Sequence, residues 1–252
     1  MEDFNKAYQE MIEKDKGKKL NDKNANFQND SIKESGIARK TVDKKLEAQH
    51  GYNLYEYIRN DKQAIVDEVL SYLDQGADIN FNLNDGCTIL MEALSCKNYE
   101  IAELLIEKGA NLDLQDKDGE TALMLAIDYN NYKIAELLIE KGANLDLQDG
   151  YGDSALIGAI HYEYNRIAEL LIEKGANLDL QNRCKSNALM HAISCKNYKM
   201  AELLIEKGAN LALKDKAKFD ALYYAKRSEE KTIIKLIEDN LKKQKKEIEK
   251  VY

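Results

Sequence analysis

The string AELLIEKGAN occurs four times in this chain, at residues 102–111, 135–144, 168–177 and 201–210, each copy starting 33 residues after the last. A fixed period of that size constrains the fold more than any other feature. A unit so short cannot bury its own apolar face, so it must stack on copies of itself, and the end copies must differ. The string LDLQ follows at 112–115, 145–148 and 178–181. Four units result: 86–118, 119–151, 152–184 and 185–217.

Each unit reads as a pair of helices. Its third position holds Thr88, Thr121, Ser154 or Asn187. All four side chains can accept from the orphan N–H groups of a helix start. A short helix follows, as in TALMLAIDY, with Leu123 and Ala126 on one face. The stretch YKIAELLIEKGAN is a second helix, with Ile134, Leu137, Leu138 and Ile139 as its apolar stripe. Gly109, Gly142, Gly175 and Gly208 close the second helices in the left-handed conformation. The polar NLDLQDKDG then turns the chain toward the next cap. Tyr99, Tyr132 and Tyr198 recur at the start of the second helix, where packing accounts for them.

The ends are degenerate copies. Residues 53–85 keep the pattern loosely, with Gly76-Ala77-Asp78 in the place of Gly109-Ala110-Asn111. Residues 218–240 place Asp220 at the cap, then Ala221, Leu222 and Ala225, then Ile233, Ile234, Leu236 and Ile237. Both are expected to act as caps. Residues 1–50 are charged and polar, a composition expected to be disordered or partly helical. Residues 241–252 read as a basic helical tail.

The period and the pattern GETALMLAI…IAELLIEKGANLDLQD resemble the ankyrin repeat, whose signature from turn to helix is TPLHxA. The resemblance covers residues 53–240 and extends to ankyrin-repeat proteins of host-associated bacteria. It implies an all-α solenoid of stacked helix-turn-helix units with β-turn tips. Ile89, Ala122, Ala155 and Ala188 replace the family's Pro, which helps at the first helical turn but is not required there. Met91, Met124, Ile157 and Met190 replace its His, removing a polar tie between turns. The tip glycines Gly86, Gly119 and Gly152 become Lys185 and Lys218. A lysine at positive φ is strained, so the last repeat and the C-terminal cap are expected to be the least stable parts.

Charge narrows the partners. Residues 51–225 carry 17 Lys and Arg against 29 Asp and Glu. Such a body repels phosphate backbones, which excludes nucleic acid as the main partner and favours a protein with a basic patch. No apolar stretch is long enough to span a membrane, and the N-terminus lacks the apolar core of a secretory signal. Four cysteines without a CxxC pair fit a reducing, cytoplasmic compartment.

Tests for chemistry fail one after another. His50, His161 and His191 belong to no HExxH motif, and no GxSxG, Walker or dinucleotide fingerprint is present. Cys96 and Cys195 occupy matching places in the first and fourth repeats. Three packing steps separate them by about 25–30 Å, too far for a disulfide, which needs Cα atoms within about 7 Å. Cys87 and Cys184 lie at tips of different repeats, so four zinc ligands do not converge. Counted back from Gly119, a calcium loop would start at Leu114 and end at Leu125, which breaks the pattern. No catalytic residue, metal or cofactor is expected.

Specificity resides where repeats differ: the tip before the cap and the end of the first helix. The resemblance implies that both line one concave, ligand-facing surface. The candidate residues are Lys117, Asp118, Glu120, Tyr151, Asp153 and Arg183 at the tips. At the helix ends they are Asp128, Tyr129, His161 and Tyr162. Tyr129 and Tyr162 are one repeat apart and are expected to stand side by side, forming an aromatic cluster with Tyr151. Tyrosine is a common interface anchor, and the acidic neighbours favour Lys or Arg on the partner. The function expected is a monomeric protein-interaction scaffold. Its alternatives are a bacterial effector delivered into a host cell by a non-classical route, and a structural spacer without a specific ligand.

Overall fold

A computed structural model of the 252-residue chain describes residues 31–60 and 65–249. Residues 1–30, most of the segment expected to be disordered or partly helical, lie outside the described residues. So do residues 250–252 at the end of the basic tail. The described residues form twelve helices and no sheet. They are α1 (Ser31–Asn60), α2 (Val66–Asp74), α3 (Ile89–Ser95), α4 (Tyr99–Glu107), α5 (Ala122–Asp128), α6 (Tyr132–Glu140), α7 (Ala155–His161), α8 (Asn165–Glu173), α9 (Ala188–Ser194), α10 (Tyr198–Glu206), α11 (Ala221–Ser228) and α12 (Lys231–Glu249). The chain divides into two compact units, Met1–Leu46 and Glu47–Tyr252. The first contributes only the opening stretch of α1 to the description; the second is the array.

In the array the short helices α3, α5, α7, α9 and α11 stack in one row and α2, α4, α6, α8, α10 and α12 in the other. Each repeat joins one helix of each row, so every apolar stripe faces both its own partner and the adjacent repeats. Ile134, Ala135, Leu138 and Ile139 of α6 are buried, as are their counterparts in α4, α8 and α10. Leu137 is only partly buried, on the flank of the stripe. Burying an Ile or Leu fully contributes about 1.5–3 kcal/mol, so each second helix is held by its neighbours rather than by its own nine residues.

Every cap expected at position three is formed. Thr88, Thr121, Ser154, Asn187 and Asp220 accept from the backbone N–H three residues on, at 3.2, 3.3, 3.4, 3.1 and 2.9 Å. Asn187 differs from its sisters in also carrying an amide Nδ2, which is buried without a partner. Second helices begin on Asn98, Asn131 and Asn197, whose side chains cap Ile101, Ile134 and Met200. The third repeat inverts this dipeptide to Tyr164-Asn165, and α8 has no side-chain cap. The closing glycines sit at φ 85 to 89. First helices end in the same left-handed way without glycine, on Lys97, Asn130, Glu163 and Lys196.

The recurrent NLDLQ string is a joint between repeats. The Oδ1 atoms of Asn80, Asp113, Asp146 and Asp179 accept from the N–H of Asn111, Asn144, Asn177 and Asn210, each 31 residues on. Gln115 donates through Nε2 to the Gly119 carbonyl at 2.6 Å and to the Gln148 carbonyl of the next repeat at 2.9 Å. Gln148 and Gln181 repeat this pattern. The ladder stops where Ala212 and Lys214 replace Asp and Gln, ahead of the degenerate unit formed by α11 and α12.

The N-terminal end is closed by the latter part of α1. Leu54, Tyr55 and Ile58 are buried in the array core. Phe81 crosses so close to Gly51 that a Cβ there would lie 2.7 Å from the phenylalanine Cβ. His50 points Nδ1 at the Gln75 carbonyl at 2.6 Å.

Candidate functional site

The turn tips are built around one position, held by Asp or Asn. Asp116 and Asp149 each accept, through Oδ1, from the N–H groups two and four residues on, and Asn182 does the same. This fixes each tip. Tips then join each other: Lys117 N–H donates to Asp85 O at 2.6 Å, Gly150 to Asp118 at 2.6 Å, and Arg183 to Tyr151 at 2.9 Å. The tip glycines have φ 79 to 80 and lie against the next tip's backbone. Lys185 and Lys218 adopt the same region at φ 58 and 68. The positive φ on which that expectation depended is present at both lysines.

Two adjoining concavities open between the second and third repeats, on the face that carries the tips and first helices. The outer one lies between Lys117, Asp118, Glu120, Gly150, Tyr151 and Arg183. The inner one has a volume of about 280 Å³. Its polar wall is Glu120, Asp128, Asp149 and Asp153, its ring-bearing wall Tyr151, Tyr162, His161 and His191, and its floor Gly158 with Met124, Ile127 and Ala155. Glu120 and Tyr151 line both.

Nine of the ten residues singled out in the sequence therefore meet in one continuous depression. Tyr129 is the exception. It is the C-cap of α5 and is 37% exposed, but lines neither concavity, and among the described residues no ring contact joins it to Tyr162. Tyr162 instead stacks on Tyr164, with centroids 5.6 Å apart and planes at 26°, and meets His161 edge-on at 5.2 Å. The pairing expected across repeats is replaced by one within the third repeat, because the inverted Tyr164-Asn165 brings a second ring to the place of a capping asparagine. Tyr151 stands free at 76% exposure.

Asp149, Gly158 and His191 are among the lining residues that escaped the comparison of tips and helix ends. Asp149 is hidden within the repeated LDLQD string. Gly158 and His191 lie inside first helices, at a position held by Glu92, Leu125, Gly158, His191 and Tyr224 in successive units. This column varies widely in size and charge, and that variation was the available signal.

The electrostatics follow from crowding. Partial burial and the charges of Asp128, Asp116, Asp149 and Asp118 push the Glu120 carboxyl up to about 7. Burial and Asp149 likewise raise Asp128. The charge of Asp128, then burial, raises the Tyr162 hydroxyl. Burial lowers His191, against the pull of Asp153. A bridge runs from His191 Nε2 to Asn182 Nδ2 at 3.2 Å, and from that nitrogen to Asp153 Oδ1 at 2.8 Å.

Elsewhere on the array, Tyr55 donates to Glu92 at 2.7 Å. Burial pushes the neighbouring Cys87 thiol up to about 11, which makes it a poor nucleophile. None of the four cysteines takes part in a disulfide. Among the described residues no group of His, Cys, Asp and Glu is arranged to hold a metal ion, and no helix is long and apolar enough to cross a membrane.

Comparison with known proteins agrees with this architecture. A family profile described as ankyrin repeats (3 copies) matches residues 54–149 and 156–247, well over half of the chain. The crystal structure of an ankyrin repeat domain from Acinetobacter baumannii AYE superposes with a TM-score of 0.66 at 29% identity, covering 74% of this chain and 96% of that one. A second ankyrin repeat protein superposes with a TM-score of 0.64 at 26% identity, over 73% of this chain and 95% of its own. A search of curated protein sequences returns no match.

Proposed function

We propose, from the premise that this chain belongs to the ankyrin-repeat family, that it is a scaffold binding a partner protein through its concave face, at a segment bearing Lys or Arg. Ankyrin repeats are generally protein-interaction modules. The observation that carries the finer reading is the depression between the second and third repeats, where four carboxylates and two exposed tyrosines meet. Glu120 and Asp128 are held together at a cost visible in their raised proton affinity. An incoming cation relieves that repulsion, whereas an anionic or apolar segment does not. Tyr151 and Tyr162 supply rigid apolar area around the charge.

The test begins with capture of partners by proximity labelling in the source cell and measurement of one affinity by calorimetry. Replacing Tyr151 and Tyr162 with Ala is expected to weaken binding by more than about tenfold, as for interface anchors. Replacing Tyr129 is expected to have a smaller effect. Unchanged affinity in the Tyr151→Ala, Tyr162→Ala double variant would dismiss this surface.

A further inference from the structure

We propose that Gly158 keeps open a slot that receives one cationic side chain of the partner, an arginine in preference to a lysine. The slot lies within the face assigned above to the partner and rests on that reading. Its starting point is a glycine without a structural reason. Gly158 sits inside α7, where glycine weakens a helix relative to alanine. Neither usual requirement for glycine applies. It is not among the positive-φ glycines, and a Cβ built on it meets nothing within 4 Å. The matching places in the other repeats hold Glu92, Leu125, His191 and Tyr224. Only in the third repeat is that space left empty.

The same repeat gives up a second stabilising device beside the same space. Inversion to Tyr164-Asn165 removes the side-chain cap of α8 and lays the Tyr164 ring along Tyr162. Both departures shape one cavity: one clears its floor, the other braces its aromatic wall. Around that space stand the carboxylates of Glu120, Asp128, Asp149 and Asp153. A flat guanidinium can lie on a tyrosine ring while donating at its edge to carboxylates. The chain itself shows the stacking half of this arrangement, with the Arg166 guanidinium carbon 3.6 Å from the Tyr132 ring centroid. A lysine ammonium satisfies the carboxylates but forgoes the planar stacking.

The experiment is an amide NMR titration of the full chain with N-acetyl-arginine amide, N-acetyl-lysine amide and the neutral N-acetyl-glutamine amide. Saturable shifts centred on the Gly158, His161 and Tyr162 amides are expected, tightest with arginine and absent with glutamine. Gly158→Leu fills the slot with the residue its preceding sister, Leu125, already carries, and is expected to weaken arginine binding by about tenfold, the scale of one buried cation–ring and carboxylate contact. Gly158→Ala is expected to keep most of the binding and to raise the unfolding temperature. Shifts that never saturate, that spread evenly over the acidic surface, or that survive Gly158→Leu overturn the slot. If Gly158→Leu loses its fold, Gly158→Gln occupies the same space, and undiminished binding there overturns it equally. A protein partner sensitive to Tyr151→Ala and Tyr162→Ala but indifferent to Gly158→Leu overturns the slot and leaves the binding face standing. A partner indifferent to all three overturns the face as well.

Discussion

Gly119 and Gly142 lie in the same repeat and both carry positive φ, yet they are required for different reasons. Gly142 closes α6 and has nothing within 4 Å of where its Cβ would stand. Gly119 forms a tip, and its Cβ would stand 2.8 Å from the Gly150 nitrogen and 2.9 Å from the Asp149 carbonyl carbon. Alanine at 142 is therefore expected to cost about 1–2 kcal/mol, the left-handed penalty alone. Alanine at 119 is expected to cost more, because the next tip must also move. Urea unfolding of the two variants measures the difference, and equal losses would remove the close-approach argument. The contrast bears on legibility. The closing glycines, the caps and the tip glycines recur at fixed spacing, so their roles could be read directly. The left-handed ends of the first helices could not, because Lys97, Asn130, Glu163 and Lys196 are of three different residue types. There the conformation is imposed by the backbone bonds that end the helix, such as Asn131 N–H to Ala126 O at 2.8 Å, and no side chain advertises it.

At the scale of elements, α8 is the informative helix. It matches its sisters except for the inverted dipeptide at its start. Restoring their order with Tyr164→Asn and Asn165→Tyr is expected to return the cap and stabilise the fold by about 1 kcal/mol, while leaving Tyr162 without its stacking partner. A rise in unfolding temperature accompanied by weaker partner binding is the outcome expected from calorimetry on the double variant; a fall in unfolding temperature would refute it. The candidate site was only partly legible for a related reason. Variation at the tips exposed Glu120, Tyr151 and Asp153, because tips are read residue by residue. Gly158 and His191 needed the phase of α7 and α9 relative to the stack. Helical period alone does not say which face turns toward the next repeat and which toward the depression. The Tyr129–Tyr162 pairing failed because equal spacing places backbones in register, whereas side chains follow local neighbours, here Tyr164.

For the whole molecule, the acidic depression couples stability to pH. The folded pKa of Glu120, about 7, exceeds its ordinary value of 4.5, so folding takes up a proton between those limits. Stability is expected to fall as pH rises through that window and to level off above it. The groups responsible are Asp116 and Asp118 on its own tip, Asp128 on α5 and Asp149 on the next tip. Glu120→Gln is expected to flatten the decline, as read from unfolding temperatures at successive pH values; an unchanged slope would clear Glu120 of the effect. Cation binding should run the other way, tightening as Glu120 ionises and loosening with added salt. The joints between units have one more implication. They use the same asparagine, aspartate and glutamine in the first three interior units, and they end at Ala212 and Lys214 in the fourth. Any of these three units can thus neighbour any other. Duplicating or deleting one cassette in the gene leaves every junction intact, and a lineage can lengthen, shorten or reshuffle what the protein recognises without solving its folding problem again.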